Sequence, residues 1–139
     1  MARYREPSKN RGSQFGATEG FRNGGKHGGA DWTTWNGRAI TSGTVTAVYW
    51  SDVIGNVVIQ TTKDDKFLLY AHLAQPSKLK VGAKVVIGLT KIGNMGSTGT
   101  ASTGPHVHIA MSKKSNPSLA AFADLIDPVK HIKEQNAKR

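Results

Sequence analysis

The alternation of apolar and polar side chains is strongest in the middle of the chain. "RAITSGTVTAVYWS" (38–51), "GNVVIQTTKD" (55–64) and "KFLLYAHL" (66–73) are rich in β-branched and aromatic residues and are separated by Gly, Asn or Asp turn signals, which predicts three antiparallel strands. "LKVGAKVVIGLTKIGNMG" (79–96) predicts a turn at Val81-Gly82 and further short strands, and "GSTGTASTG" (96–104) predicts a loop. That loop leads into "STGPHVHIAM" (102–111), where a period of two places His106 and His108 on one face and Val107 and Ile109 on the other. The same parity groups Leu68, Tyr70 and His72. One helix is predicted within "SLAAFADLIDPVKHIKEQ" (118–135), with Pro128 breaking it or starting a final turn. Upstream, "FGATEGFRNGGKHGGAD" (15–31) is too irregular for a helix or a long strand and predicts loop or short strand. No repeat of solenoid or propeller period occurs. The pattern as a whole predicts a mainly β, antiparallel scaffold with a short C-terminal helix or turn.

At 139 residues the chain suits a single domain with a real core, divided here into a flexible basic arm over 1–14 and one domain over 15–139. The absence of cysteine excludes disulfides and thiolate metal sites, so any metal is held by His, Asp, Glu or water. Nineteen Lys and Arg against nine Asp and Glu give a formal charge of +10, a field that attracts polyanions. These basic residues are spread along the chain, and no stacking platform or reading helix accompanies them, so no specific nucleic-acid partner is expected. The opening "MARYREPSKNRGSQ" has neither the apolar stretch of a signal peptide nor the length of a membrane span. No transmembrane segment is expected, and oligomeric state is not indicated.

The five histidines carry the candidate chemistry. His27 and Asp31 form H-x-x-x-D across "HGGAD", where paired glycines let the backbone bend and approach a ligand. With one more histidine they make three protein ligands for Zn²⁺ and leave a fourth tetrahedral position for water. Alone, each fragment has a plain structural explanation as well. H-x-H fits a half-exposed edge strand, His72 in "LLYAHL" fits a satisfied strand end, and His131 fits the surface of a basic tail. Tyr70 fits either a donor near a developing oxyanion or a cross-strand core aromatic. Trp32, Trp35 and Trp50 fit either core or groove wall.

Order and intervening text favour the chemical alternative. H-x-G-x-D (His27, Gly29, Asp31) precedes Y-x-H-L (Tyr70, His72, Leu73). A glycine-punctuated segment (Gly82, Val85, Gly88, Ile92, Gly93, Gly96) and S-T-G-x-H-x-H (Ser102, Thr103, Gly104, His106, His108) follow. This run resembles the lysostaphin-type zinc endopeptidases that cut bacterial peptidoglycan, from about Phe15 to the "LIDP" that ends at Pro128. The resemblance implies an antiparallel β scaffold with a substrate groove and one zinc ion held by His27, Asp31 and His108. It also implies two unliganded histidines, His72 and His106, facing the attacking water and the substrate.

H-E-x-x-H is absent, so no glutamate base of that type is available and a neutral imidazole takes its place. On this reading His106 is the base, and His72 stabilises the oxyanion or protonates the leaving amine, with the division between them open. The expected function is hydrolysis of stem-peptide or cross-bridge bonds in peptidoglycan, which lyses the wall. The alternative is a catalytically idle zinc- or polyanion-binding module. Diffuse positive charge is expected to supply attraction to anionic wall polymers, and the site of action is the cell wall, outside the cytoplasm. Without an apolar leader, a phage lysin or virion component is the source this suggests.

Overall fold

The computed structural model describes residues 3–18, 26–102 and 104–138; part of the loop expected over 15–31, and Thr103 of the S-T-G-x-H-x-H motif, lie outside the described residues. The strands are β1 (Ala30–Trp32), β2 (Gly43–Ser51), β3 (Gly55–Thr61), β4 (Phe67–Leu73), β5 (Lys84–Val85), β6 (Val107–Ser112) and β7 (Leu125–Ile126). They form one antiparallel sheet in the order β1-β6-β4-β3-β2-β5, with β7 also paired to β6. β2, β3 and β4 fall on the three predicted strands. The first begins at Gly43 rather than residue 38, because Arg38 makes only an isolated bridge to Lys91. Among the described residues no helix is long and apolar enough to cross a membrane.

Strand alternation divides the interior into two clusters. Val58, Leu68, Tyr70, Val107, Ile109 and Met111 join Trp32, Ile40 and Ile132 in the larger core. Val57, Ile59, Leu69, Ala71 and Ala110 form a smaller cluster on the opposite face. Burial of these side chains is the main favourable term, each worth about 1.5–3 kcal/mol for the larger ones.

The C-terminal segment departs from expectation. The helix, α1, spans only Pro128–Ala137, and the Ala- and Leu-rich stretch before it forms 3-10 turns at Pro117–Leu119 and Phe122–Asp124, then β7. Pro128 begins the helix because its missing N–H costs nothing at the first position, and it holds Asp127 extended. Asp127 then caps the helix by accepting from the N–H groups of Val129 and Lys130.

The N-terminal segment departs as well. Residues 3–14 do not form the free arm expected for 1–14: Tyr4 is buried in the larger core, the Arg5 N–H donates to the Ile40 carbonyl, and Arg11 bridges to Trp32 on the outer edge of β1. His131, expected at the surface, is half-buried. Its Nε2 lies 2.6 Å from Asp64 Oδ2, and its ring meets Tyr4 edge-on. Ile132 and Tyr4, both apolar in a basic context, supply the physical reason: burying them draws both termini onto the sheet.

Candidate metal centre

Asp31 and His108 are directly opposed in the β1–β6 pair, and Ala71 of β4 is opposed to His108 on its other side. Cross-strand partners share a face, so the carboxylate and the imidazole meet on the side of the smaller cluster. His27 reaches the same point from the segment ahead of β1, whose backbone is tied down by bonds between Gly16 and His27 and between His27 and Ala17. Gly29 is required here. A Cβ at that position would lie 2.2 Å from the Ile109 carbonyl and 2.9 Å from the His108 ring.

Three atoms converge. His108 Nδ1 lies 2.9 Å from Asp31 Oδ1 and 3.0 Å from His27 Nε2, and His27 Nε2 lies 3.3 Å from Asp31 Oδ1. His106 Nε2 is 3.8 Å from Asp31 Oδ2, and the His72 ring centroid is 4.6 Å from that of His106. His27, Asp31, His72, His106 and His108 are therefore brought into one cluster.

Tyr70 is not. It is fully buried on the opposite face, where its hydroxyl donates to Gln60 Oε1 at 2.5 Å and accepts from the Ile40 N–H, with its ring stacked on Trp35. The oxyanion role considered for it is withdrawn, because strand parity directs its side chain away from the cluster. Of the tryptophans, Trp32 is core, Trp35 is half-buried and Trp50 is exposed.

His72 also breaks the expected parity. It has φ of 61°, and the β3–β4 register shifts between Asn56 and Val58. This bulge returns Leu73 to the larger core with Leu68 and Tyr70 while turning His72 towards His106.

Backbone carbonyls fix the tautomers. Because a carbonyl only accepts, Nδ1 carries the proton in His27 (to Gln14, 3.2 Å), His72 (to Thr98, 2.6 Å) and His106 (to Gly104, 2.8 Å). Each then presents an Nε2 lone pair. These carbonyl partners were invisible in the sequence, where only the small residues of 96–104 hinted at close backbone approach.

Burial pushes Asp31 upward, but the bond from His108 and, whenever a ring takes up a second proton, the bond and charge from His108 and His27 outweigh it and hold the carboxyl below the usual range. Burial lowers His108, and burial lowers His72 to about 4 against the opposing bond to Thr98. An ionised carboxylate with neutral imidazoles is the protonation state that metal binding needs. The donor set also fits a small divalent ion. A zinc ion would take each ligand atom at about 2.0–2.1 Å, and tetrahedral angles then put those atoms roughly 3.3 Å apart, close to the observed spacings. The His27 and Asp31 lone pairs face one another through His108, so a shared cation relieves their opposition.

Comparison with known proteins identifies the fold and the family. The catalytic domain of the antimicrobial peptidase lysostaphin from Staphylococcus simulans superposes with a TM-score of 0.75 at 32% identity, covering 89% of this chain and 92% of that one. A zinc containing peptidase from Vibrio cholerae superposes at 0.67 and 25% identity over 91% of this chain and 39% of its own. In sequence, the murein hydrolase activator NlpD of Escherichia coli is 34% identical over 113 residues, 74% of this chain; the chain spans only 27% of that protein's length. Residues 25–119 match the model of peptidase family M23. The fold is thus the lysostaphin-like one, and the chain belongs to peptidase family M23.

Proposed function

We propose that this protein is a zinc-dependent endopeptidase that hydrolyses peptide bonds in bacterial peptidoglycan, with His27, Asp31 and His108 holding one zinc ion. The observation that carries the reading is the convergence of two imidazole nitrogens and a carboxylate oxygen beside two further imidazoles whose lone pairs are free. When bound, zinc supplies a Lewis acid for the scissile carbonyl and lowers the pKa of water towards about 7.

The chain's own residues do the rest. His106, with Nδ1–H donated to Gly104, has Nε2 available to accept the proton of the attacking water. His72 is neutral near pH 7 with its Nδ1–H donated to Thr98, so its Nε2 is an acceptor; it would take up a proton released by the attacking water and, once protonated there, donate to the oxyanion or the leaving amine. Asp31 keeps its negative charge throughout and orients both ligand histidines.

The similarity to lysostaphin's catalytic domain across nearly the whole of both chains supports peptide-bond hydrolysis. A second reading, a non-hydrolytic activator of another wall hydrolase, is favoured by the similarity to the murein hydrolase activator NlpD. Against it stands the presence here of every member of the metal group and of both free imidazoles. Peptidoglycan is the proposed substrate in either case, with action at the cell wall. The +10 charge adds attraction to anionic wall polymers, so raising salt from 0.05 to about 0.5 M is expected to weaken sacculus binding, measured by co-sedimentation.

The deciding experiment is digestion of purified sacculi of several wall chemotypes with mass spectrometry of the fragments. Peptide fragments with new amino termini establish hydrolysis and identify the bond. Fragments that form only when an amidase is added support the activator reading.

A further inference from the structure

The glycine-rich loop over 96–104 contributes no ligand to the metal group and no imidazole, yet it grips the one strained residue of the site. His72 holds φ of 61°, a left-handed conformation that a side chain with a Cβ adopts only when its surroundings impose it. Four bonds do so. The His72 N–H donates to the Ile54 carbonyl at 2.8 Å. The next carbonyl, that of Leu73, receives both Asn56 Nδ2 at 3.2 Å and Thr98 Oγ1 at 2.7 Å. The His72 ring donates from Nδ1 to the Thr98 carbonyl at 2.6 Å.

Thr98 therefore holds the ring of His72 with its carbonyl and the backbone beyond His72 with its hydroxyl. It is itself held: its Oγ1 accepts the Asn56 N–H at 3.2 Å, while Thr100 and Ala101 donate to the Asp52 and Val53 carbonyls at 2.8 and 2.9 Å. The hairpin between β2 and β3 and this loop are pressed together at Gly55, where an added Cβ would lie 2.1 Å from Thr98 Oγ1.

We infer that Thr98, braced by Asn56, is a positioning residue that locks the His72 ring in its Nδ1–H tautomer with Nε2 directed at the reaction centre. The role rests on the hydrolytic reading above, because it matters only if His72 Nε2 accepts a proton at the reaction centre. Among the described residues Thr98 bonds to Asn56, His72 and Leu73 and not to His27, Asp31 or His108, so loosening the lock leaves the metal group intact. The hydroxyl is the part that can be removed alone: Thr98→Val keeps the shape and deletes both the bond to the Leu73 carbonyl and the one from the Asn56 N–H, and Thr98→Ser restores them.

The test compares the wild type with Thr98→Val, Thr98→Ser and Asn56→Ala on soluble muropeptides, with zinc content, thermal melting and ¹⁵N NMR of the His72 ring. In Thr98→Val, kcat falls about 10–100-fold with KM within about twofold and zinc content unchanged, the size typical of losing an outer-shell partner. The His72 ring shows one tautomer in the wild type and a mixture in Thr98→Val, and Thr98→Ser recovers both rate and tautomer. Where Thr98→Val does not fold, Asn56→Ala, which cuts the other bond to the Leu73 carbonyl, gives the same signature. Wild-type tautomer and kcat within twofold in Thr98→Val overturn the inference, as does a Thr98→Ser variant no better than Thr98→Val. A wild type inert on every muropeptide defeats the hydrolytic reading instead, while the NMR signature still decides whether Thr98 sets the ring.

Discussion

Asp31, buried, and Asp64, half-buried, each sit within hydrogen-bond distance of an imidazole, but the two clusters are built for different ends. Asp64 spends both oxygens on donors: Oδ1 accepts from the Tyr4 hydroxyl at 2.7 Å, and Oδ2 faces His131 Nε2 at 2.6 Å. It joins the N-terminal segment, the turn after β3 and α1, and it closes on itself. Asp31 instead shares Oδ1 with two imidazole nitrogens and has a third 3.8 Å from Oδ2. Lone pairs there outnumber protons. A His–Asp contact is therefore structural when donors and acceptors balance, and a candidate ion site when acceptors converge in excess.

The sharpest way to break this comparison is to remove one convergent acceptor. Asp31→Asn or His108→Ala is expected to abolish zinc binding and lower turnover on sacculi by roughly 10³-fold or more, with the sheet intact by circular dichroism. Metal analysis beside the activity assay checks it, and full zinc occupancy in either variant counts against the assignment. His106→Ala is expected to retain zinc and lose about 10²-fold or more in kcat, because a base and not a ligand is removed. Loss of zinc in that variant would place His106 among the ligands.

Smaller effects belong to the closed cluster. Asp64→Asn or His131→Ala is expected to cost about 1–3 kcal/mol of stability and lower Tm by roughly 4–12 °C, while kcat at low temperature stays within about twofold. The pH dependence follows from the sign of the Asp64 shift. Burial pushes its carboxyl up, but bonds from Tyr4, Thr62 and His131 prevail and hold it below the usual range. The folded state thus binds the Asp64 proton more weakly than the unfolded chain. Its contribution is complete above the ordinary carboxyl pKa of about 3.9 and is lost as pH falls through the lower folded value. Wild-type Tm should fall more steeply than that of Asp64→Asn below about pH 4, and parallel curves would remove Asp64 from the acid response.

Much of this contrast could be read from the residues in advance. Alternation in 66–73 and 102–111 identified β4 and β6, and H-x-x-x-D with H-x-H named the residues that the sheet brings together, since Asp31 and His108 are cross-strand neighbours. Parity failed at His72 because the bulge there is imposed by Ile54, Asn56 and Thr98, contacts that no local pattern encodes. Of the two alternatives for Tyr70, the cross-strand core aromatic holds, and the oxyanion alternative falls with the parity that grouped it with His72. The residues ahead of Pro128 are not helical because edge pairing of Leu125 and Ile126 with β6 overrides their local helix propensity. The segments that carry Tyr4 and His131 are basic, a composition that predicts solvated termini. Their burial comes from closure of both termini on the same core, a tertiary event.

The most direct test of the account is a zinc titration of metal-stripped protein, following release of new amino groups from purified sacculi as a function of zinc per chain. The account predicts no release without metal and a rise that reaches its plateau at one zinc per chain. Equal release from the stripped protein, or a rise that continues past one equivalent, would contradict it.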